Sequence, residues 1–129
     1  MQHLIPTILT KRAVMTIRIF HNPRCSKSRA TLALLQERGH EPEITLYLEA
    51  PPDTAELRSI LGKLGLTARE LMRKGEQEYR ELGLSVESLG EQALIAAMAA
   101  HPKLIERPIV LANDRAAIGR PPEAVLEIL

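Results

Sequence analysis

Residues 16–29 read TIRIFHNPRCSKSR, and two kinds of local structure meet inside this run. Thr16 to Phe20 alternates, with β-branched residues on one side, and reads as a strand. His21-Asn22-Pro23 breaks the alternation, and Pro23, which has no backbone donor, suits the turn just ahead of a helix. Beyond it, Leu32, Leu34 and Leu35 continue a helix that Gly39 should end. Glu43 to Leu48 (EITLYL) reads as a second strand, closed by Pro51–Pro52. Strand, helix and strand in this order imply a parallel pair joined by a right-handed crossover. Cys25 falls at the start of the crossover helix.

Further along, Asp53 is a good N-cap for Thr54 to Leu64, which carries Leu57, Ile60, Leu61 and Leu64 on one face and stops at Gly65. Thr67 and Glu70 form a capping box for a short helix running to Lys74. Ser88 to Ala100 has a helical pattern that must end before Pro102. Ile109 to Ala112, a turn at Asn113–Asp114 and Ala116 to Ile118 read as a hairpin. Pro121, Pro122 and Glu123 then open a last helix, Ala124 to Leu129. The order is βαβ, a helical insert at about residues 53–104, then ββα. An α/β chain with a thiol in its first β-to-α turn has the thioredoxin-like arrangement. One such domain is expected over residues 15–129, with residues 1–14 as an extension or an upstream start.

The 129 residues are of ordinary globular composition, with 45% hydrophobic and 26% charged, so wholesale disorder is not expected. At 2% aromatic and a net charge of +1, the chain has neither the stacking platforms nor the global field of a nucleic-acid binder. No run approaches the length of a membrane span. The N-terminal stretch has Lys11 and Arg12 after its apolar residues, the wrong order for a secretory signal. The cytoplasm is therefore the expected compartment, and a monomer the expected state. The single Cys excludes an internal disulfide and cannot supply a structural zinc site or an iron–sulfur cluster. No metal and no bound cofactor is expected.

What surrounds Cys25 is polar and cationic. Between Thr16 and His40, five cations (Arg18, Arg24, Lys27, Arg29 and Arg38) face one carboxylate, Glu37, a local excess of four positive charges. Free amides at a helix N-terminus and nearby cations both favour a thiolate, and the same amides cradle an oxyanion. Ser26, Lys27 and Ser28, in the first turn after Cys25, are expected to line that anion site. His21, on the strand side of the turn, is placed either to contact the thiolate or to organise the loop. A tyrosine-phosphatase loop needs Arg six residues after Cys, where Thr31 stands; a dithiol redox enzyme needs Cys three residues on, where Ser28 stands. Cys25 must therefore pass any adduct or mixed disulfide to an external thiol, glutathione or a glutaredoxin being the natural candidate. In a thioredoxin-like layout Arg107–Pro108 is the place of the cis-proline loop, with Pro108 structural and Arg107 opposite Cys25.

The segments HNPRCSKSR, LYLEAPP, ARELMRKGEQEYRELGL, LIERPIV and IGRPPEAVLEIL, in that order, resemble the glutaredoxin-linked arsenate reductases, the ArsC family. The resemblance implies that Cys25 is the nucleophile that attacks arsenate, that His21 supports its thiolate, and that Arg73, Arg107 and Arg120 bind the oxyanion. It further implies reduction of arsenate to arsenite through a cysteine adduct resolved by glutathione and glutaredoxin. Ser26–Lys27 stands where the best-known members have Gly-Thr, and the chain stops at Leu129, which points to a short-form branch. Two other readings of the same residues are a regulatory protein of the Spx type, which binds RNA polymerase, and a glutathione-linked thiol oxidoreductase with another substrate. Ser28 removes the partner cysteine of an Spx-type switch.

Overall fold

β1 (Ile17–Phe20) lies inside a four-stranded sheet of order β2-β1-β3-β4, in the computed structural model, which describes residues 16–129. The extension expected at residues 1–14 lies outside them, as does Met15. β1 is followed by α1 (Ser26–Glu37), β2 (Glu43–Thr45), α2 (Thr54–Leu64), α3 (Ala68–Leu71), α4 (Gln77–Glu81) and α5 (Glu91–Ala100). A 3-10 turn (Pro102–Leu104), β3 (Ile109–Ala112), β4 (Arg115–Ile118) and a 3-10 segment (Pro122–Ile128) complete the chain. β1 and β2 are parallel with Ile19 opposite Ile44, whereas β3 runs antiparallel to both β1 and β4. This is the thioredoxin-like layout that the order of elements implies.

The period of two along β1 and β3 sorts the core into two faces. Ile17, Ile19, Val110 and Ala112 pack with Leu35 of α1 and with Val125 and Ile128 of the last segment. Phe20 and Ile109 point the other way, into a larger cluster with Leu57, Ile60, Leu71, Ile95, Met98 and Leu104 from the helical insert. Full burial of each such side chain contributes about 1.5–3 kcal/mol. The result is a rigid sheet whose β1 end delivers His21 and Cys25, with β3 and β4 delivering Arg107 and Arg120.

Several local signals act as read. Asp53 accepts the Glu56 N–H, the Thr67–Glu70 capping box has both of its bonds, and Gly65 is left-handed with φ of 70°. Asn113 and Asp114 both have positive φ, as a two-residue hairpin turn requires.

The departures have tertiary causes. β2 ends at Thr45 rather than Leu48, because His21 N–H takes the Thr45 carbonyl at 2.9 Å and β1 has no further strand to offer. Leu46 instead accepts the N–H groups of Glu49 and Ala50 in a turn. α3 ends at Leu71 rather than Lys74. Met72 there pairs with Ile105, Arg73 N–H donates to Leu104 at 2.7 Å, and Glu106 N–H donates to Leu71 at 3.0 Å. α4 was not expected; it is five residues long and anchored by buried Tyr79. α5 starts at Glu91, after Gly90, rather than at Ser88. The last helix is 3-10 and begins at Pro122, and its two buried residues, Val125 and Ile128, stand three apart, the period of a 3-10 turn.

Candidate active site

Cys25 is the N-cap of α1, with extended backbone (φ −96°, ψ 124°) and no side-chain capping bond. Its N–H donates to the Asn22 carbonyl at 3.0 Å and its own carbonyl accepts from Arg29 at 3.0 Å, which closes the HNP turn and starts the helix. Cys25 as a residue is 8% exposed. Ser26 and Lys27 lie exposed on the first helical turn beside it.

Ser28 is placed differently. Three residues beyond Cys25 it faces inward and is fully buried. Its hydroxyl accepts the Asn22 N–H at 2.9 Å and lies 2.6 Å from Nδ1 of His21. Besides the lone pair given to Asn22, the hydroxyl keeps its proton and a second lone pair, so it serves either tautomer of the imidazole. Burial, and then the positive charge of Arg29, hold the His21 pKa below its ordinary value of 6.5. Of the two roles open to His21, its bonds are those of an organiser of the loop, and Ser28 serves that loop rather than lining an anion site.

Tyr47 adds a residue that the sequence did not single out. The turn after β2 drives it inward to 2% exposure, where it lines the same cleft as Asn22, Arg73 and Arg107. Burial pushes its phenol up to about 12, opposed by the Arg73 charge and reinforced by Cys25. Tyr47 therefore reaches from the cysteine loop toward the arginines.

Three arginines from separate stretches converge here. Arg73 follows α3, held by the pairing of Met72 with Ile105. Arg107 precedes Pro108 across a cis peptide bond at the start of β3, and Arg120 precedes Pro121 across another at the end of β4. The cis bond expected at Arg107–Pro108 is thus present, and the second was not foreseen. Gly119 sets the spacing between these two loops: its N–H donates to the Pro108 carbonyl at 2.9 Å, and a β-carbon there would lie 2.3 Å from Oγ1 of Thr31 on α1. Arg120 Nε donates to the Arg107 carbonyl at 2.7 Å, and its Nη2 reaches Cys25 Sγ at 3.6 Å.

Glu106, also not foreseen, joins them. Its Oε1 lies 3.6 Å from Arg73 Nε, 3.7 Å from Arg107 Nη1 and 3.4 Å from Arg120 Nε. Arg73 has a second carboxylate, Glu76, in direct hydrogen bond. Arg107 is the least satisfied of the three: Nε and Nη1 are buried with no hydrogen-bond partner among the described residues, since 3.7 Å to Glu106 is an ion pair but too long for a bond. A cleft of about 240 Å³ adjoins the cluster, lined by Asn22, Arg24, Tyr47, Arg73, Lys103 and Arg107 among others. Buried donors on a planar, permanently charged group suit a tetrahedral oxyanion, and the nearest nucleophile is Cys25. The signal for Glu106 was its position beside Arg107; for Tyr47 it was only an aromatic in a run of aliphatics.

Sheet order, cysteine loop and cis-proline loop together define a thiol protein of thioredoxin-like fold. The chain belongs to the ArsC family, whose model matches residues 20–128. Among its relatives is a protein from Neisseria meningitidis named "Arsenate reductase", 56% identical over 114 residues, 88% of this chain and 97% of that one. A protein from Escherichia coli K12 named "Uncharacterized protein YfgD" is 62% identical over 114 residues, 88% of this chain and 96% of the other. The solved "Arsenate reductase from Vibrio cholerae" superposes with a TM-score of 0.87 at 54% identity, covering 90% of this chain and 99% of its own.

Proposed function

We propose that the protein reduces arsenate to arsenite, with Cys25 as nucleophile and Arg73, Arg107 and Arg120 as the oxyanion clamp. The observation that carries this reading is the single guanidinium of Arg120, which lies 3.6 Å from the Cys25 sulfur and shares the Glu106 carboxylate with the other two arginines. Thiol and clamp therefore form one site. An anion held there presents its central atom to Sγ. Proximity of this kind and fixed positive charge both lower the barrier to attack on the anion.

Sγ displaces one arsenate oxygen, which leaves as water after taking up two protons, and an S–As(V) bond forms. An external thiol then attacks the Cys25 sulfur; the S–As electron pair passes to arsenic, giving As(III), and the two sulfurs are left as a disulfide. Arsenate, Cys25 thiol and one external thiol thus yield arsenite, a mixed disulfide and water. The chain has one cysteine, so the second thiol comes from outside. We assign it to glutathione, with a glutaredoxin clearing the mixed disulfide in the cytosol. His21 acts by holding the loop through Ser28, and no bound cofactor takes part.

The test is NADPH consumption with arsenate, glutathione, glutaredoxin and glutathione reductase. Arsenate-dependent turnover is expected for the wild-type chain and not for Cys25→Ser. Equal rates for the two would exclude arsenate reduction by Cys25.

A further inference from the structure

Glu106 is the group at the centre of the site that the proposed chemistry leaves without a task. One oxygen of its carboxylate lies between 3.4 and 3.7 Å from all three clamp arginines. None of these is a short bidentate pair, so the carboxylate is centred among three cations rather than bound to one. The same oxygen accepts the Arg107 backbone N–H at 3.2 Å, a long hydrogen bond that the carboxylate gives up when it turns toward water. The Glu106 side chain is 32% exposed, and its own backbone is held separately by the Leu71 carbonyl.

We propose that Glu106 is a tethered internal competitor for the arginine clamp and sets its charge selectivity, admitting dianionic oxyanions and rejecting monoanions. This rests on the oxyanion reading above. A carboxylate attached to the chain acts at an effective concentration in the millimolar range or higher. A free monoanion gains no more from three guanidinium groups than the carboxylate it replaces, so it loses that competition. A dianion brings a second charge to the same cations and wins it. The local balance fits. With Glu76 also on Arg73, the three clamp arginines face two carboxylates, and displacement of Glu106 leaves them two net positive charges for the incoming dianion, to which Arg24 and Lys103 in the cleft lining add.

Sulfate and perchlorate separate charge from shape, because both are tetrahedral and inert toward the thiol. In isothermal titration calorimetry at fixed ionic strength, the reduced wild-type chain is expected to take sulfate in clear preference to perchlorate. Glu106→Gln is expected to bind sulfate about tenfold or more tightly and to lose most of that preference. Glu106→Ala should shift both in the same direction, which removes any effect of the glutamine amide. Unchanged or weaker sulfate binding in both variants overturns the proposal, since the carboxylate would then be arranging the arginines rather than competing for them. Arg107→Met keeps the two readings apart. If it abolishes sulfate binding while the Glu106 variants bind no tighter, the competitor role alone falls. If neither the wild type nor any Glu106 variant binds sulfate, the oxyanion site falls with it.

Discussion

The Ser28 hydroxyl accepts the Asn22 N–H at 2.9 Å and lies 2.6 Å from Nδ1 of His21, with Ser28 and His21 both buried under the cysteine loop. One side chain on α1 thus satisfies the last residue of the strand side and the first residue of the turn. Ser28→Ala strands both groups, and a buried polar group left without its partner costs about 1–3 kcal/mol. Urea unfolding of the variant should show a loss of that size. Sulfate affinity should fall as well, because the loop that carries Cys25 is no longer pinned. A variant as stable as the wild type would mean that water replaces the hydroxyl.

The same pair predicts the acid side of the stability profile. His21 has its folded pKa below the unfolded 6.5, through burial first and Arg29 second. The unfolded chain therefore binds the His21 proton at a pH where the folded chain does not. Its contribution is fully present above 6.5 and declines as pH falls from 6.5 toward the folded value, below which it is flat. Thermal melts between pH 7 and 5 should show this slope, and His21→Gln should flatten it. Equal slopes in the two proteins would place the proton elsewhere.

How much of this was legible beforehand follows from where each signal resides. Caps and turns are local, so Asp53, the Thr67–Glu70 box and the Asn113–Asp114 turn could be read directly. The cysteine at a helix start was legible for the same reason. The end of β2 was not, because it is set by where β1 stops, twenty-five residues upstream. Ser28 looked like an anion ligand by its distance along the chain from Cys25. Three helical residues turn it inward instead, to complete exclusion from water. Glu106 is not legible in the sequence, because its meaning depends on Arg73 and Arg120, which only the fold brings to it.

Arg107 should show stability and function moving in opposite directions. Its Nε and Nη1 are buried without hydrogen-bond partners among the described residues, and its side chain is only 14% exposed. A flexible apolar chain of similar length removes that desolvation cost, and Glu106 keeps Arg73 and Arg120 as partners. Arg107→Met is accordingly expected to melt at or slightly above the wild-type temperature while losing sulfate binding. A clear destabilisation would show that the guanidinium is held more favourably than its unpaired nitrogens indicate.

Gly119 tests whether spacing alone controls the site. It touches no substrate-facing group, yet it sits between α1 and the Pro108 loop, and directly precedes Arg120. A β-carbon there would lie 2.3 Å from Thr31 Oγ1, 3.1 Å from Thr31 Cγ2 and 2.8 Å from Pro108 Cγ. Thr31 cannot simply rotate away, because its hydroxyl donates to the Lys27 carbonyl at 2.8 Å and its side chain is buried. Gly119→Ala must therefore push the β4 end away from α1, at a cost of about 1–3 kcal/mol. The same movement carries Arg120 away from Cys25, so turnover should fall by more than the folded fraction accounts for. Thr31→Ala removes two of the three clashes. Combined with Gly119→Ala, it should recover part of the stability and part of the rate, a coupling that a double-mutant cycle measures directly. Strictly additive losses would show that the two positions do not meet and that the distance from Arg120 to Cys25 is set elsewhere.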